Sequence, residues 1–295
     1  MYESVPRPTA EDGELLIAVH AAAITFDELT WPETWSSDGV DRTPIVPSHE
    51  FSGVVAEVGS GVTDVSVGDE VYGLVPFDRN GAAAEYVSVP AGFVAAKPRT
   101  VPHAVAAAAA LPGLTAWETL VEHAAVQAGD RVLVHGGAGG VGAFVTQMAA
   151  SLGARVTGTA RTKDVAYVRT LGAERVIDVD HEDLADEAGS FDVVINAVGA
   201  DTPEALFAAL RRGGRLIVLQ EPPSQELTEK YGVTAEFFIV TADRENLARL
   251  AERIDAGELQ VAVAATFPLA DGRAAYESGA TRRQRPGKTV LVVRD

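Results

Sequence analysis

The stretch VLVHGGAGGVGAFVTQMA, residues 132–149, decides the fold. An apolar run of strand length leads into Gly137-x-Gly139-x-x-Gly142, and a helix-forming run follows. In such a turn one glycine makes the tight bend, one lets a pyrophosphate approach the backbone, and one lets the helix pack closely on the sheet. The N-terminus of the helix directs unpaired N–H groups at the phosphates. We therefore predict a dinucleotide-binding strand–turn–helix unit, with the alternative that the glycines serve packing only.

Strands and helices alternate after this turn. Four further apolar runs have the length of strands: ARVTGTA, ERVIDV, FDVVINAVG and GRLIVLQ. Helix-forming segments separate them, which predicts a parallel sheet with helices on both faces. We expect the helices that run into SLGA, TLGA and RRGG to end at the glycines of these motifs.

The chain before about residue 98 has a different pattern. Short Val-rich runs alternate with Gly, Pro and Asp from Glu14 onward, which predicts an antiparallel, barrel-like module. Near the C-terminus, TAEFFIV predicts an edge strand, RENLARLAERIDAGEL an amphipathic helix and KTVLVVRD a last strand. The fold class that we predict is α/β, with a β-barrel domain and a doubly wound parallel sheet.

Charge and composition exclude several classes of partner. Lys and Arg number 24 against 42 Asp and Glu, a net charge of −18, which disfavours binding to nucleic acid or to anionic membranes. The absence of cysteine excludes disulfides and thiolate ligands. No signal-peptide pattern opens the sequence, and we expect no apolar stretch long enough to span a bilayer. We therefore expect a cytoplasmic protein.

The end of the second strand predicts which dinucleotide binds. A site for NAD usually places Asp or Glu there, on the ribose 2′-OH. Here Thr159 and Ala160 stand at that place, followed by Arg161 and Lys163. Cations attract a 2′-phosphate and carboxylates repel it, so we predict NADP(H). The alternative is that both are solvated charges at the start of a helix.

Several motifs together resemble one family. HEFSGVVAEVGSGVTDVSVGDEVYGL, AAAEYVSVP, ALPGLTAWETL, VLVHGGAGGVG and GKTVLVV are similar, in this order, to the medium-chain dehydrogenase/reductase superfamily, and in particular to its zinc-free quinone oxidoreductase-like branch. The resemblance implies a GroES-like catalytic domain over residues 1–108, a Rossmann NADP(H)-binding domain over 109–240, and a return segment over 241–295 that completes the catalytic domain. It also implies an NADPH-dependent reductase that forms a homodimer through TAEFFIV. The family usually opens with a strand before the segment similar to YESVPRP, so we expect that strand to be missing here or the start to be assigned too late.

The resemblance also locates the zinc ligands of zinc-dependent relatives. They fall on Thr25, His49 and a position near Leu111. Thr and Leu are poor zinc ligands and one His cannot hold zinc alone, although Glu50 or Asp27 could complete a site. We predict that no metal is bound.

Without a metal, hydrogen-bond donors must stabilise the charge that develops on a substrate oxygen. Thr25 falls where quinone reductases carry an Asn, so its hydroxyl is a candidate donor. Trp35 falls where related enoyl reductases carry a Tyr acid, and Trp31 and Trp35 could stack on a flat substrate. His49 could relay a proton, since His titrates near neutral pH, or bond the nicotinamide ribose, and Phe77 could line the pocket. For the tryptophans and for His49, packing alone is the alternative.

The resemblance adds Thr115, Asn196, Gly199, Leu219 and Lys288 to the residues that the glycine turn and the end of the second strand assign to the cofactor. The predicted cofactor set is Gly137, Gly139, Gly140, Val141, Gly142, Thr115, Thr159, Arg161, Lys163, Asn196, Gly199, Leu219 and Lys288.

Three functions follow from these residues. The first is a zinc-independent reductase that transfers a hydride from NADPH to a quinone or an α,β-unsaturated carbonyl. The second is an enoyl reductase that tailors a polyketide-like aromatic intermediate. The third is a non-catalytic NADPH-binding sensor. The glycine turn supports cofactor binding in all three and does not separate them.

Overall fold

The computed structural model describes residues 3–37, 39–198, 203–280 and 285–294. The chain divides into two compact units. The first unit comprises Met1–Leu114 and Thr241–Asp295, and the second comprises Thr115–Val240.

Fifteen strands and nine α-helices lie in the described residues. The strands are β1 (Glu14–Ile24), β2 (Ser36–Ser37), β3 (Val40–Asp41), β4 (Glu50–Val58), β5 (Glu70–Leu74), β6 (Tyr86–Pro90), β7 (Val94–Ala96), β8 (Arg131–His135), β9 (Arg155–Ala160), β10 (Arg175–Asp178), β11 (Phe191–Asn196), β12 (Leu210–Val218), β13 (Thr234–Phe237), β14 (Val263–Pro268) and β15 (Lys288–Val292). The helices are α1 (Pro32–Trp35), α2 (His103–Ala107), α3 (Ala110–Trp117), α4 (Gly140–Ser151), α5 (Val165–Thr170), α6 (Glu204–Ala209), α7 (Gln225–Tyr231), α8 (Arg244–Asp255) and α9 (Gly272–Glu277).

A seven-stranded sheet forms the first unit. Its order is β14-β15-β1-β4-β5-β7, and β6 pairs with β1. All pairs are antiparallel except β14 with β15. Apolar side chains from several strands bury one another in its core, including Leu15, Ile17, Phe51, Val89 and Leu291. The C-terminal strand β15 therefore completes a sheet that begins more than two hundred residues earlier.

A parallel six-stranded sheet forms the second unit, in the order β10-β9-β8-β11-β12-β13. Its core includes Leu133, Val194, Phe207, Leu216 and Val218. Helix α4 follows β8 directly after the glycine-rich turn. The predicted α/β class and the predicted edge strand, which is β13, are confirmed.

Two of the three predicted helix ends are correct and one is wrong. Helices α4 and α5 end shortly before Gly153 and Gly172, whose φ angles of 82° and 102° are left-handed. Helix α6 instead ends at Ala209, before its RRGG motif. Leu210 is already extended because it pairs with Phe191 across the sheet and is buried there.

The expectation that no apolar stretch is long enough to span a bilayer is wrong for one stretch of the chain. The mostly helical stretch His103–His123, of 21 residues, is long and apolar enough to cross a membrane, and 78% of its most apolar window is buried inside the protein. The core helix of a soluble protein passes the same test, so the finding is weak evidence for a membrane span.

Candidate active site

The glycine-rich turn of the second unit has the shape that a pyrophosphate requires. Gly136 has a φ of 87°, and Gly139 caps α4, whose first residues are Gly140 and Val141. A Cβ on Gly142 would lie 2.1 Å from the carbonyl oxygen of Gly136. The backbone at Gly136 therefore lies too close to Gly142 for a side chain at position 142. The N-terminus of the helix is left open to a phosphate.

Two side chains hold this turn in place. The backbone N–H of Gly136 donates to Thr159 Oγ1 at 2.9 Å, and His135 Nδ1 lies 2.9 Å from the same oxygen. Thr159 is 2% exposed, so in this structure its side chain orders the turn. Burial lowers the pKa of His135 and keeps it neutral. Sequence reasoning missed His135, although its position directly before the glycines, at the end of β8 beside β9, was a usable signal.

The two cations predicted at the 2′-phosphate lie beyond the end of β9. Arg161 Nη1 is 3.7 Å from Asp180, and Lys163 Nζ is 3.3 Å from Asp164. Their side chains are 51% and 42% exposed. Both remain accessible to an anionic group, and their part in binding a phosphate stays a prediction.

The remaining predicted cofactor residues of the second unit occupy different surroundings. Asn196 is fully buried, and its Oδ1 accepts from the backbone N–H of Val198 at 3.1 Å. The N–H of Leu219 donates to the carbonyl of Asn196 at 3.3 Å, and Thr115 is 7% exposed. Asn196 thus shapes the loop after β11, while Gly199 lies outside the described residues.

Three polar side chains of the first unit form a compact triangle, which we call the Thr25 triangle. Lys288 Nζ donates to Thr25 Oγ1 at 2.9 Å and lies 2.6 Å from Glu50 Oε1. The Thr25 hydroxyl donates to the same Glu50 oxygen at 3.2 Å. The Lys288 amine, predicted to lie near the cofactor, is therefore engaged by Thr25 and Glu50.

A second buried carboxyl lies near this triangle. Glu28 is 1% exposed, and its Oε1 accepts from the Tyr276 hydroxyl and, at 3.1 Å, from the N–H of Ser48. Burial raises the pKa of Glu28 to about 8, so the carboxyl is largely protonated at neutral pH. Ser48 has a left-handed φ of 70°, so Glu28 helps to fix the backbone immediately before His49.

Predicted aromatic residues form a row in the first unit. The Trp31 and Phe77 rings meet edge-on with centroids 5.7 Å apart, and the His49 ring lies 4.9 Å from Phe77. Trp35 is 41% exposed, and its Nε1 donates to the carbonyl of Leu29 at 2.8 Å. The structure thus brings Trp31, Phe77 and His49 together and commits the indole N–H of Trp35 to the backbone.

The expectation that His49 titrates near neutral pH is wrong. His49 is 4% exposed, and its Nδ1 is buried with no hydrogen-bond partner among the described residues. Burial lowers its pKa from 6.5 to about 4, because the charged ring loses its hydration. His49 is therefore neutral at pH 7 and supplies no imidazolium proton there.

This lowered pKa predicts a loss of stability in acid. Between pH 6.5 and about 4 the unfolded chain protonates His49 while the folded chain does not, so the free energy of unfolding falls as the pH is lowered. We expect His49→Gln to reduce this fall, measured by urea unfolding at pH 7 and pH 5. His181→Gln, at a side chain that is 69% exposed, is the control and should leave the wild-type slope unchanged.

Two family models match the chain. Residues 11–99 match the alcohol dehydrogenase GroES-like domain, and residues 171–291 match the zinc-binding dehydrogenase model. A relative from Arabidopsis thaliana, an NADPH-dependent alkenal/one oxidoreductase, is 32% identical over 91% of this chain and 69% of its own length. The chain belongs to the medium-chain dehydrogenase/reductase superfamily.

Further relatives of this medium-chain reductase agree with that assignment. The 2-methylene-furan-3-one reductase of Solanum lycopersicum is 32% identical over 88% of the chain, which spans 66% of that protein. The quinone oxidoreductase structure from Coxiella burnetii has a TM-score of 0.86 at 29% identity, covering 98% of this chain and 93% of the other. A mycobacterial protein complexed with NADPH has a TM-score of 0.85 at 32% identity, with 99% and 94% covered. The predicted oxidoreductase class and the predicted NADP(H) cofactor are confirmed.

The residues at the zinc positions do not fit zinc in this medium-chain reductase. Across residues 3–37, 39–198, 203–280 and 285–294, no group of three or more His, Asp or Glu side chains is arranged to hold a metal ion. Glu50, which could have completed a site, is paired with the Lys288 ammonium. The Leu111 side chain has no atom that could ligate a metal, and the Thr25 hydroxyl is a poor ligand.

Proposed function

We propose that this chain is a zinc-independent, NADPH-dependent reductase of quinones and α,β-unsaturated carbonyls. The Thr25 triangle carries the proposal. It provides a hydroxyl, bonded by an ammonium, at the position where zinc-dependent relatives place a metal ligand. A polarised hydroxyl can perform the task of a Lewis acid, which is to stabilise negative charge on a substrate oxygen.

When bound, NADPH supplies a hydride to an electrophilic carbon of the substrate. The glycine-rich turn and the N-terminus of α4 would hold the pyrophosphate, with Arg161 and Lys163 as the candidate groups for the 2′-phosphate. The Thr25 hydroxyl donates a hydrogen bond to the substrate oxygen as electrons move onto it. Buried, neutral His49 and the partly buried Phe77 ring beside it provide an apolar wall that limits water.

A narrower function is favoured by one observation. The Trp31 and Phe77 rings, which meet edge-on, are partly exposed and offer flat surfaces on which an aromatic substrate can stack. These rings support an enoyl reductase that acts on an aromatic, polyketide-like intermediate as the second candidate.

Steady-state NADPH oxidation against benzoquinones, naphthoquinones, alkenones and an enoyl thioester tests the proposal. We expect turnover of quinones or alkenones, a lower KM for NADPH than for NADH, and no loss of activity after dialysis against a zinc chelator. Turnover confined to the enoyl thioester supports the second candidate. Tight NADPH binding without turnover on any compound would identify the chain as a sensor and refute both enzyme proposals.

We also propose a homodimer in which β13 pairs with its copy. Strand β13 ends the order of its sheet, and Ile239 just beyond it is 60% exposed. Light scattering after size exclusion should give about twice the chain mass of 30.9 kDa. The cytoplasmic location stays a proposal that rests on composition.

A further inference from the structure

Lys288 donates a hydrogen bond to the Thr25 hydroxyl, the group that the proposed function assigns to the substrate oxygen. We propose that Lys288 is a positioning residue for the reaction: its ammonium polarises the Thr25 hydroxyl and resupplies the proton that this hydroxyl gives to the substrate. The inference rests on the proposed function and deepens it, because it names the source of the proton.

The hydrogen bonds of the Thr25 triangle have the direction that such a role needs. The ammonium donates to Thr25 Oγ1 at 2.9 Å, which leaves the hydroxyl proton available to an acceptor. That proton currently points to Glu50 Oε1 at 3.2 Å, the longest of the three contacts. A hydroxyl that accepts a bond from a cation is a stronger donor than a free one.

Thr25 is more exposed than the two charged residues of the triangle, so it is the one that can contact a substrate. Glu50 is 1% exposed and the Lys288 side chain 10% exposed, whereas Thr25 is partly exposed. Charges in so dry a place act more strongly on their neighbours than they would in water. Within this triangle, a substrate oxygen would therefore contact Thr25, and Lys288 would act on that oxygen through the Thr25 hydroxyl.

Three neighbouring strands hold the triangle rigidly. Strand β1 pairs with β15 through Ile24 and Thr289, and with β4 through Ala23 and Glu50. Thr25 directly follows β1, Lys288 opens β15 and Glu50 opens β4. The sheet register thus brings together side chains that are 263 residues apart in the chain, and little rotamer freedom has to be lost during the reaction.

Three other ionisable groups surround Lys288. Glu50 is its ion-pair partner, and Glu28 and the Tyr276 hydroxyl face the same region. Burial raises the pKa of Glu28 to about 8, so near pH 7 the buried ammonium is balanced mainly by the carboxylate of Glu50.

The proposed step is balanced for an α,β-unsaturated ketone. The β-carbon gains a hydride with its two electrons, and the π electrons of the C=C bond shift toward the carbonyl oxygen. That oxygen takes the Thr25 hydroxyl proton, and Thr25 Oγ1 takes a proton from the Lys288 ammonium. The neutral amine regains a proton from solvent, the enol tautomerises to the saturated ketone, and NADP⁺ is released.

The test uses variants that avoid leaving a buried charge unpaired. Lys288→Met alone would strand Glu50, so the informative variant is Lys288→Met/Glu50→Gln, compared with Thr25→Val, Thr25→Ser and the triple variant. Tyr276→Phe is the matched control, because it removes a buried hydroxyl from the same region without touching the triangle. Thermal unfolding of each variant confirms a folded protein.

We expect the double variant and Thr25→Val each to lose about 10²-fold in kcat, the usual scale of a lost general acid, with KM changed less than threefold. Thr25→Ser should recover most of the activity and Tyr276→Phe should keep it. The triple variant should be no slower than Thr25→Val, because the residues act as one unit. The solvent isotope effect on kcat should be larger for the double variant than for the wild type, since resupply of the proton then limits turnover.

Other outcomes overturn the inference. A folded double variant with wild-type kcat would show that Lys288 only packs, and a triple variant whose losses multiply would show that Thr25 and Lys288 act independently. A wild-type chain that reduces no quinone or enone refutes the proposed function together with the inference. An active wild type with an unaffected double variant refutes the inference alone.

Discussion

Gly142→Ala is expected to weaken NADPH binding by about tenfold and to lower the melting temperature. The new Cβ would lie 2.1 Å from the Gly136 carbonyl oxygen and 3.2 Å from Gly137 Cα. Both are backbone atoms of the turn, so the clash can be relieved only by opening the loop that receives the pyrophosphate. Forced packing of this kind costs about 1–3 kcal/mol, and roughly 1.4 kcal/mol corresponds to tenfold in affinity.

Fluorescence titration of NADPH, together with a thermal melt, measures both effects. Gly272→Ala is the control, because a Cβ at this position in the first turn of α9 meets no atom within 4 Å. It should bind NADPH with wild-type affinity. If Gly142→Ala bound NADPH as tightly as this control, the turn would not be the pyrophosphate site.

The parts of the site that depend on local sequence could be predicted. The glycines of the turn and the alternation of strands and helices follow from spacing within about twenty residues, so the parallel sheet and the cofactor class were accessible. The end of α6 could not be predicted from local sequence, because Leu210 is extended by its pairing with Phe191. A partner in another strand overrides the local glycine signal there.

The polar clusters of the first unit could be predicted only in part. Thr25 and His49 were identified by resemblance, but the bond between Thr25 and Lys288 depends on the register of β1 with β15. The contact between Glu28 and Tyr276 joins residues 248 positions apart. The pKa of His49 depends on burial that no sequence window reveals. Such properties arise from tertiary packing and cannot be predicted from the spacing of residues in the sequence alone.

Glu28→Gln is expected to make the protein more stable than the wild type above pH 8. Burial raises the pKa of Glu28 from 4.5 to about 8, so the folded chain holds this proton more tightly than the unfolded chain. The stabilisation from the bound proton is complete below pH 4.5 and is lost as the pH rises through about 8. The difference between the two pKa values corresponds to a loss of roughly 5 kcal/mol in the free energy of unfolding.

The amide of Gln avoids that loss because it carries no charge at any of these pH values. Its side-chain oxygen can still accept from the Tyr276 hydroxyl and the Ser48 N–H, the two bonds that Glu28 makes. Urea unfolding at pH 5, 7 and 8.5 should therefore show that the stability of the variant relative to wild type increases with pH. Glu277→Gln, at a carboxyl on α9 that is 67% exposed, should show no such trend. Parallel stability curves for wild type and Glu28→Gln would mean that Glu28 is ionised in the folded protein, and a buried anion would then face Glu50 across the same cluster.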